Sequence, residues 1–178
     1  HSDFSSANEV DALQHINQAF RKSAHALLHA NYLFLTFGTA HYFEHIESSK
    51  IVSNCHKFPS KTFHQKLATP NEIVDALNTA LLVLMEVNPK LKVIFTVSPV
   101  RYFAFGHFEN SLSKAHLFTA IGELIATNAA FSYFPAYEII MDELRDYRFY
   151  ADDMIHPNAI AIEYVWEKLV QYYFNSNT

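Results

Sequence analysis

Apolar residues recur at helical spacing in four parts of this chain and gather into short apolar runs in three others. Leu13, Ile16, Phe20, Ala24 and Leu27 form the first helical stripe. Ser6-x-x-Glu9 precedes it and reads as a capping box. The run NYLFLTFG, residues 31–38, has no polar alternation and ends in glycine, which fits a strand buried on both faces. Residues 41–60 sustain no period and read as a long excursion with a hairpin around 48–50.

The second helix is marked at both ends. Thr69 caps it, Pro70 takes the first helical position, Glu72 completes a capping box, and Asn88-Pro89 stops it. Ile73, Leu77, Leu81 and Leu84 supply its buried stripe. KVIFTVSP, residues 92–99, is rich in β-branched residues and reads as a second strand. A loop to about Ser111 leads into a helix with Leu112, Ala115, Phe118, Ile121 and Ile125 on one face. AAFSYFP is a short third strand, and residues 135–150 mix a short helix with a loop. The last helix starts near Pro157, with Ile162, Val165, Trp166 and Leu169 turned inward. The order α-β-α-β-α-β-α implies an α/β domain over residues 1–178, with a mainly parallel sheet covered on both sides.

Composition narrows the function classes. A net charge of −5 and no useful run of Lys or Arg argue against a nucleic-acid or anionic-membrane surface. Cys55 stands alone, so no internal disulfide forms. No apolar run approaches the ~18 residues of a membrane span, and no secretory leader pattern opens the chain, which points to the cytoplasm. The sequence opens HSDFSS without an initiator Met and reads as a processed or excised piece.

In open parallel sheets, ligands bind at the carboxyl ends of the strands. That edge collects Gly38-Thr39, then Ser98-Pro99-Val100-Arg101, and the loop DMIHP carrying Asp153 and His156. Asp153 lies three residues before His156, a spacing at which a turn lets the carboxylate accept one ring N–H and leave the other nitrogen as a base. A helix-capping turn with a satisfied histidine is the competing reading of the same spacing. HYFEH, His41 to His45, matches the inverted zinc-protease pattern H-x-x-E-H. That chemistry requires a helix and a third ligand, and the pattern instead follows a strand and a glycine turn. Cys55 and His56 are adjacent and point to opposite sides of an extended chain, which argues against a thiol nucleophile.

Several segments together resemble the GSCFA-domain family, a branch of the SGNH (GDSL-type) hydrolases. They are LTFGTA, NCHKFPSK, IFTVSPVR, ENSLSKAHL and FPAYEIIMDELRDYRFYADDMIHP. The resemblance runs nearly end to end, and MDELRDYRFYADDMIHP is its most specific part. It implies a flavodoxin-like three-layer α/β/α sandwich and a Ser-His-Asp triad whose D-x-x-H pair maps onto Asp153 and His156. Asp152 has the wrong spacing for that pattern. The family's Gly-Ser-Cys-Phe-Ala motif, which would supply the serine, is absent; the chain opens in the family's HS-x-FS segment. The serine and the first strand of the sheet are therefore expected upstream, with one sheet edge left open to association.

The resemblance also implies an oxyanion hole from a glycine and an asparagine after a central strand. Gly38 and Thr39 occupy that strand end, but Ala40 stands where the asparagine belongs. Asn54 is a candidate replacement donor, or a turn residue. Arg101 is a candidate for binding a carboxylate or substrate oxygen, or for an ion pair with Glu138 or Asp142. Ser98 is a candidate lining residue. The expected activity is hydrolysis of a small-molecule or carbohydrate ester, without metal or cofactor. A ligand-binding domain that keeps the cleft without catalysis is the second expectation.

Overall fold

The computed structural model describes residues 4–52, 55 and 58–174. Helix α1, Glu9–His29, leads into strand β1, Tyr32–Phe37. A small antiparallel sheet follows, made of β2, His41–His45, β3, Lys50–Val52, and β4, Phe63–Leu67. The remaining elements are α2, Pro70–Val87, β5, Lys92–Val97, α3, His107–Thr127, β6, Phe131–Tyr133, a short α4, Ala136–Glu138, and α5, Ala159–Tyr173. The polypeptide after α4 continues as a π-helical turn, Ile139–Glu143.

The main sheet is parallel in the order β1-β5-β6. β5 lies in the middle and reads as an almost unbroken apolar run because both of its faces are covered. Val93, Phe95 and Val97 point toward α2 and α3, where they meet Leu81, Leu117, Ala120 and Leu124. Ile94 points the other way and joins Phe134, Ile139, Val165 and Leu169 under α5. Alternation along one strand thus builds two cores, the layered solution expected of a parallel sheet with helical crossovers.

The α2 signals hold in detail. Thr69 Oγ1 accepts the Glu72 N–H at 3.3 Å, and the Glu72 carboxylate accepts the Thr69 N–H at 2.7 Å. The 41–60 excursion resolves into β2 and β3, with Ser49 at φ 53° in their turn, and β4 adds on the far side of β2.

Other expectations are corrected. Asn8, not Ser6, caps α1, its side chain accepting the Val10 N–H at 2.9 Å. The α1 stripe exists, but no residue of α1 is buried, and Phe20 is 74% exposed. Its C-terminal end is held by Asn88, whose Nδ2 donates to Leu27 O and Ala30 O at 2.9 Å each. On α3 the buried face is Asn110, Ser113, Lys114, Leu117, Ala120, Ile121 and Leu124, and only Ile121 belongs to the expected stripe. α5 starts at Ala159 behind an Asn158 cap, and it buries Ala161 while Ile162 and Trp166 stay exposed.

Asn88→Ala leaves two carbonyls at the end of α1 without their donor. The expected loss is about 1–3 kcal/mol in urea unfolding, given the desolvation cost of an unpaired group. Hydrogen exchange around residues 27–30 should quicken more than in α3.

Candidate functional site

The carboxyl ends of β1 and β5 are joined by one side chain from α3. Lys114 is 3% exposed, and its Nζ donates to Gly38 O at 2.7 Å and to Ser98 O at 2.6 Å. Its neighbour Ser113 supplies an oxygen to the Ala40 N–H at 2.7 Å and meets Thr39 Oγ1 at 3.0 Å. Adjacent residues on one helix therefore fasten both strand-end turns. Among the described residues no carboxylate pairs with Lys114. Burial pushes its ammonium down to about 8.

Gly38, Thr39 and Ser98 are thus brought together as expected at the sheet edge. The Ser98 hydroxyl accepts the Val100 N–H at 3.2 Å, a local turn contact. The Ala40 N–H is taken by Ser113, whereas the N–H groups of Gly38 and Thr39 at the end of β1 make no hydrogen bond among the described residues. Asn54 lies outside the described residues.

The third point of the edge is the loop from 150 to 158. Asp153 Oδ1 accepts the backbone N–H of Ile155 and of His156, each at 2.9 Å. Its Oδ2 meets His156 Nδ1 at 2.6 Å. With Nδ1–H donating to the carboxylate, Nε2 is the free lone pair. The His156 side chain is 61% exposed and so open to a reacting group. The backbone N–H of His156, then its ring, then the Ile155 N–H hold the Asp153 carboxyl at about 2, below its usual range.

Backbone contacts shape this loop around the pair. Ala151 N donates to His156 O at 2.8 Å, and Met154 sits at φ 59°, uncommon for a residue with a Cβ. Asn158 then acts at both ends of its side chain. Its Oδ1 accepts the Ala161 N–H at 3.1 Å and caps α5, while its Nδ2 donates to Arg148 O at 2.6 Å. Pro157 and Pro99 line one small apolar cavity of about 180 Å³, which sets the His156 loop beside the turn after β5.

Arg101 follows that turn. Tyr102 N donates to the buried Asn110 Oδ1 at 2.9 Å, fixing this stretch on α3. Arg101 makes no ion pair with Glu138 or Asp142; Glu138 instead accepts the Tyr133 hydroxyl at 2.8 Å. It lines an open cleft of about 340 Å³.

The zinc-protease spacing does not survive folding. His41 to His45 is strand β2, not a helix, so four residues of extended backbone set the two Cα positions about 13 Å apart. His41 Nδ1 faces Gln65 Nε2 at 3.3 Å, and His45 Nδ1 meets Ser48 Oγ at 2.9 Å. No group of three metal-ligating side chains occurs among the described residues. No helix among them is long and apolar enough to cross a membrane. Ser113 and Lys114 escaped the sequence reading as functional residues. Their signal was a serine and a lysine at the i, i+3, i+4 spacing set by Asn110 and Leu117.

Two outcomes are expected. Lys114→Met strands two carbonyls and should cost about 1–3 kcal/mol at pH 7. Below pH 8 the lysine is protonated in both folded and unfolded chains, so it adds no pH dependence. Between about 8 and 10.5 the unfolded chain holds the proton and the folded one does not, so this group makes wild-type stability rise with pH. The gap to Lys114→Met, read from urea midpoints, should be flat below pH 8 and widen above it. For Asp153, the stabilisation from its depressed carboxyl is present above about pH 4 and lost as pH falls toward 2. Carbon-13 NMR should place its titration near 2, and His156→Ala should move it up only part of the way, since two backbone N–H bonds remain.

The family model described as GSCFA family matches residues 1–169 of this chain. No curated protein and no solved structure matches it.

Proposed function

This chain belongs to the GSCFA family, and from that membership we propose that it carries the base half of an SGNH-type serine ester or acyl hydrolase. The observation that supports the reading most is the Asp153–His156 contact of 2.6 Å, which aims a free Nε2 away from the carboxylate. Among the described residues no serine hydroxyl bonds to His156. The nucleophile in this reading is a serine upstream of residue 1, arriving with a strand that pairs along the free edge of β1. The finer fold is then the flavodoxin-like α/β/α sandwich, completed by that strand.

In the first half-reaction the serine Oγ attacks the ester carbonyl carbon, and its proton passes to His156 Nε2. Asp153 holds the ring in place and stabilises the imidazolium. The carbonyl oxygen becomes an oxyanion, and the Thr39 N–H is a donor at the strand end suited to receive it. Collapse breaks the ester C–O bond, and the alcohol leaves with the proton from Nε2. Water repeats the sequence on the acyl-serine, releasing the acid and restoring the serine. Gly38, Ser98 and Arg101 serve as positioning and binding groups, and no step uses a metal or cofactor.

Ala40 favours a second reading. Its backbone N–H is spent on Ser113 and its side chain is no donor, so the oxyanion site has one group fewer than the SGNH pattern. A ligand-binding domain that keeps the cleft is consistent with that loss.

The test is mass spectrometry of the full-length protein after treatment with a fluorophosphonate. A single adduct on an upstream serine, slowed at least a hundredfold in His156→Ala, is the expected result. No adduct in a folded wild-type protein would overturn hydrolysis and leave the binding domain.

A further inference from the structure

The cleft of about 340 Å³ beside the His156 loop is lined by Arg101, Arg145, Tyr147 and Tyr150, over a floor of Met141 and Leu144. Its size falls in the range of small-ligand sites. Two arginines line it, and neither has a hydrogen bond or ion pair among the described residues. Asp146 also lines it, but its carboxylate is already held by Arg148, with Nη2 and the backbone N–H each at 2.9 Å. The two arginines are therefore the lining charges without a partner.

Unpaired arginines are ordinary on an open surface, where water serves them. Here they come from separate parts of the chain, the turn after β5 and the turn after residue 144, and converge on one concavity. A guanidinium presents a rigid fork that matches the two oxygens of a carboxylate or phosphate. Tyr150 joins this cleft to the proposed catalytic pair, because it bridges to Pro157 and Ala151 bonds to His156 O.

We propose that this cleft is the substrate's anion subsite: Arg101 and Arg145 together hold a carboxylate or phosphate group carried by the ester substrate. The inference rests on the hydrolase reading for the word substrate, but not for the binding itself. It narrows the substrate class from esters in general to acidic ones, such as acylated acidic sugars. The tyrosine rings at the cleft suit a sugar face beside the charged group.

Binding is measured by calorimetry on the full-length protein with glucuronate, glucose 6-phosphate and glucose. The first two separate a carboxylate from a phosphate source, and glucose is the neutral control. At least one acidic sugar should bind at least tenfold more tightly than glucose. Arg101→Gln and Arg145→Gln should each weaken it about tenfold, and the double variant should reduce it to the level of glucose. Neither arginine holds another part of the fold, and circular dichroism verifies that each variant is folded. Equal binding of all three sugars, no binding of either acidic sugar, or unchanged affinity in both folded variants would overturn the proposal. Since none of these readouts needs ester cleavage, failure of the subsite and failure of the hydrolase reading are separately visible.

Discussion

Two carbonyls at the ends of neighbouring parallel strands have no partner in the ladder, and one buried ammonium serves both. That arrangement at Lys114 sets the shape of the whole carboxyl edge. A carbonyl buried without a donor is costly, and so is a buried cation without an acceptor. Each cost is relieved only if the other group is in position. The turns at Gly38 and Ser98 are thus held at a fixed separation by α3, and Ser113 adds the next residue of the β1 turn to the same helix. Hydrophobic packing of β5 places the strands, but this polar knot decides where their ends point.

The parallel sheet was legible because its central strand is buried on both faces, and such burial leaves an apolar run that nothing else in the chain imitates. The α2 boundaries were legible for a similar reason: Thr69, Pro70 and Glu72 act locally, without help from distant residues. The face of α3 was not. Its buried side begins with Asn110, Ser113 and Lys114, which a hydrophobic pattern counts as solvent-facing, so the period was drawn through Leu112 and Ile125 instead. Ser113 and Lys114, whose partners in the β1 turn lie some 75 positions away, cannot advertise burial from spacing alone. The Asp153–His156 contact was readable, since three residues on a turn bring the groups together by local geometry. The Arg145 side of the neighbouring cleft was not, because it depends on how the π-helical turn at 139–143 aims the backbone that follows.

The two ends of the main sheet are unlike. At the carboxyl edge, Ser113 and Lys114 of α3 bond to the turns that follow β1 and β5. Along β1 the sheet is bare among the described residues, and Leu13, Ile16 and Phe20 of α1 are exposed. A helix with an amphipathic pattern and no buried residue gains little from its own stripe, so its stability leans on caps and on Asn88.

Asn158 has a consequence of another kind. One amide closes the loop that carries Asp153 and His156 and also begins α5, so unwinding the first turn of that helix opens the loop in the same event. The imidazole then has no independent hinge. Fluctuations that disable the pair are those that release a helix from the sheet, and they belong to a large cooperative unit rather than to a fraying surface turn. An exposed histidine can in this way inherit the persistence of a helix packed on the sheet.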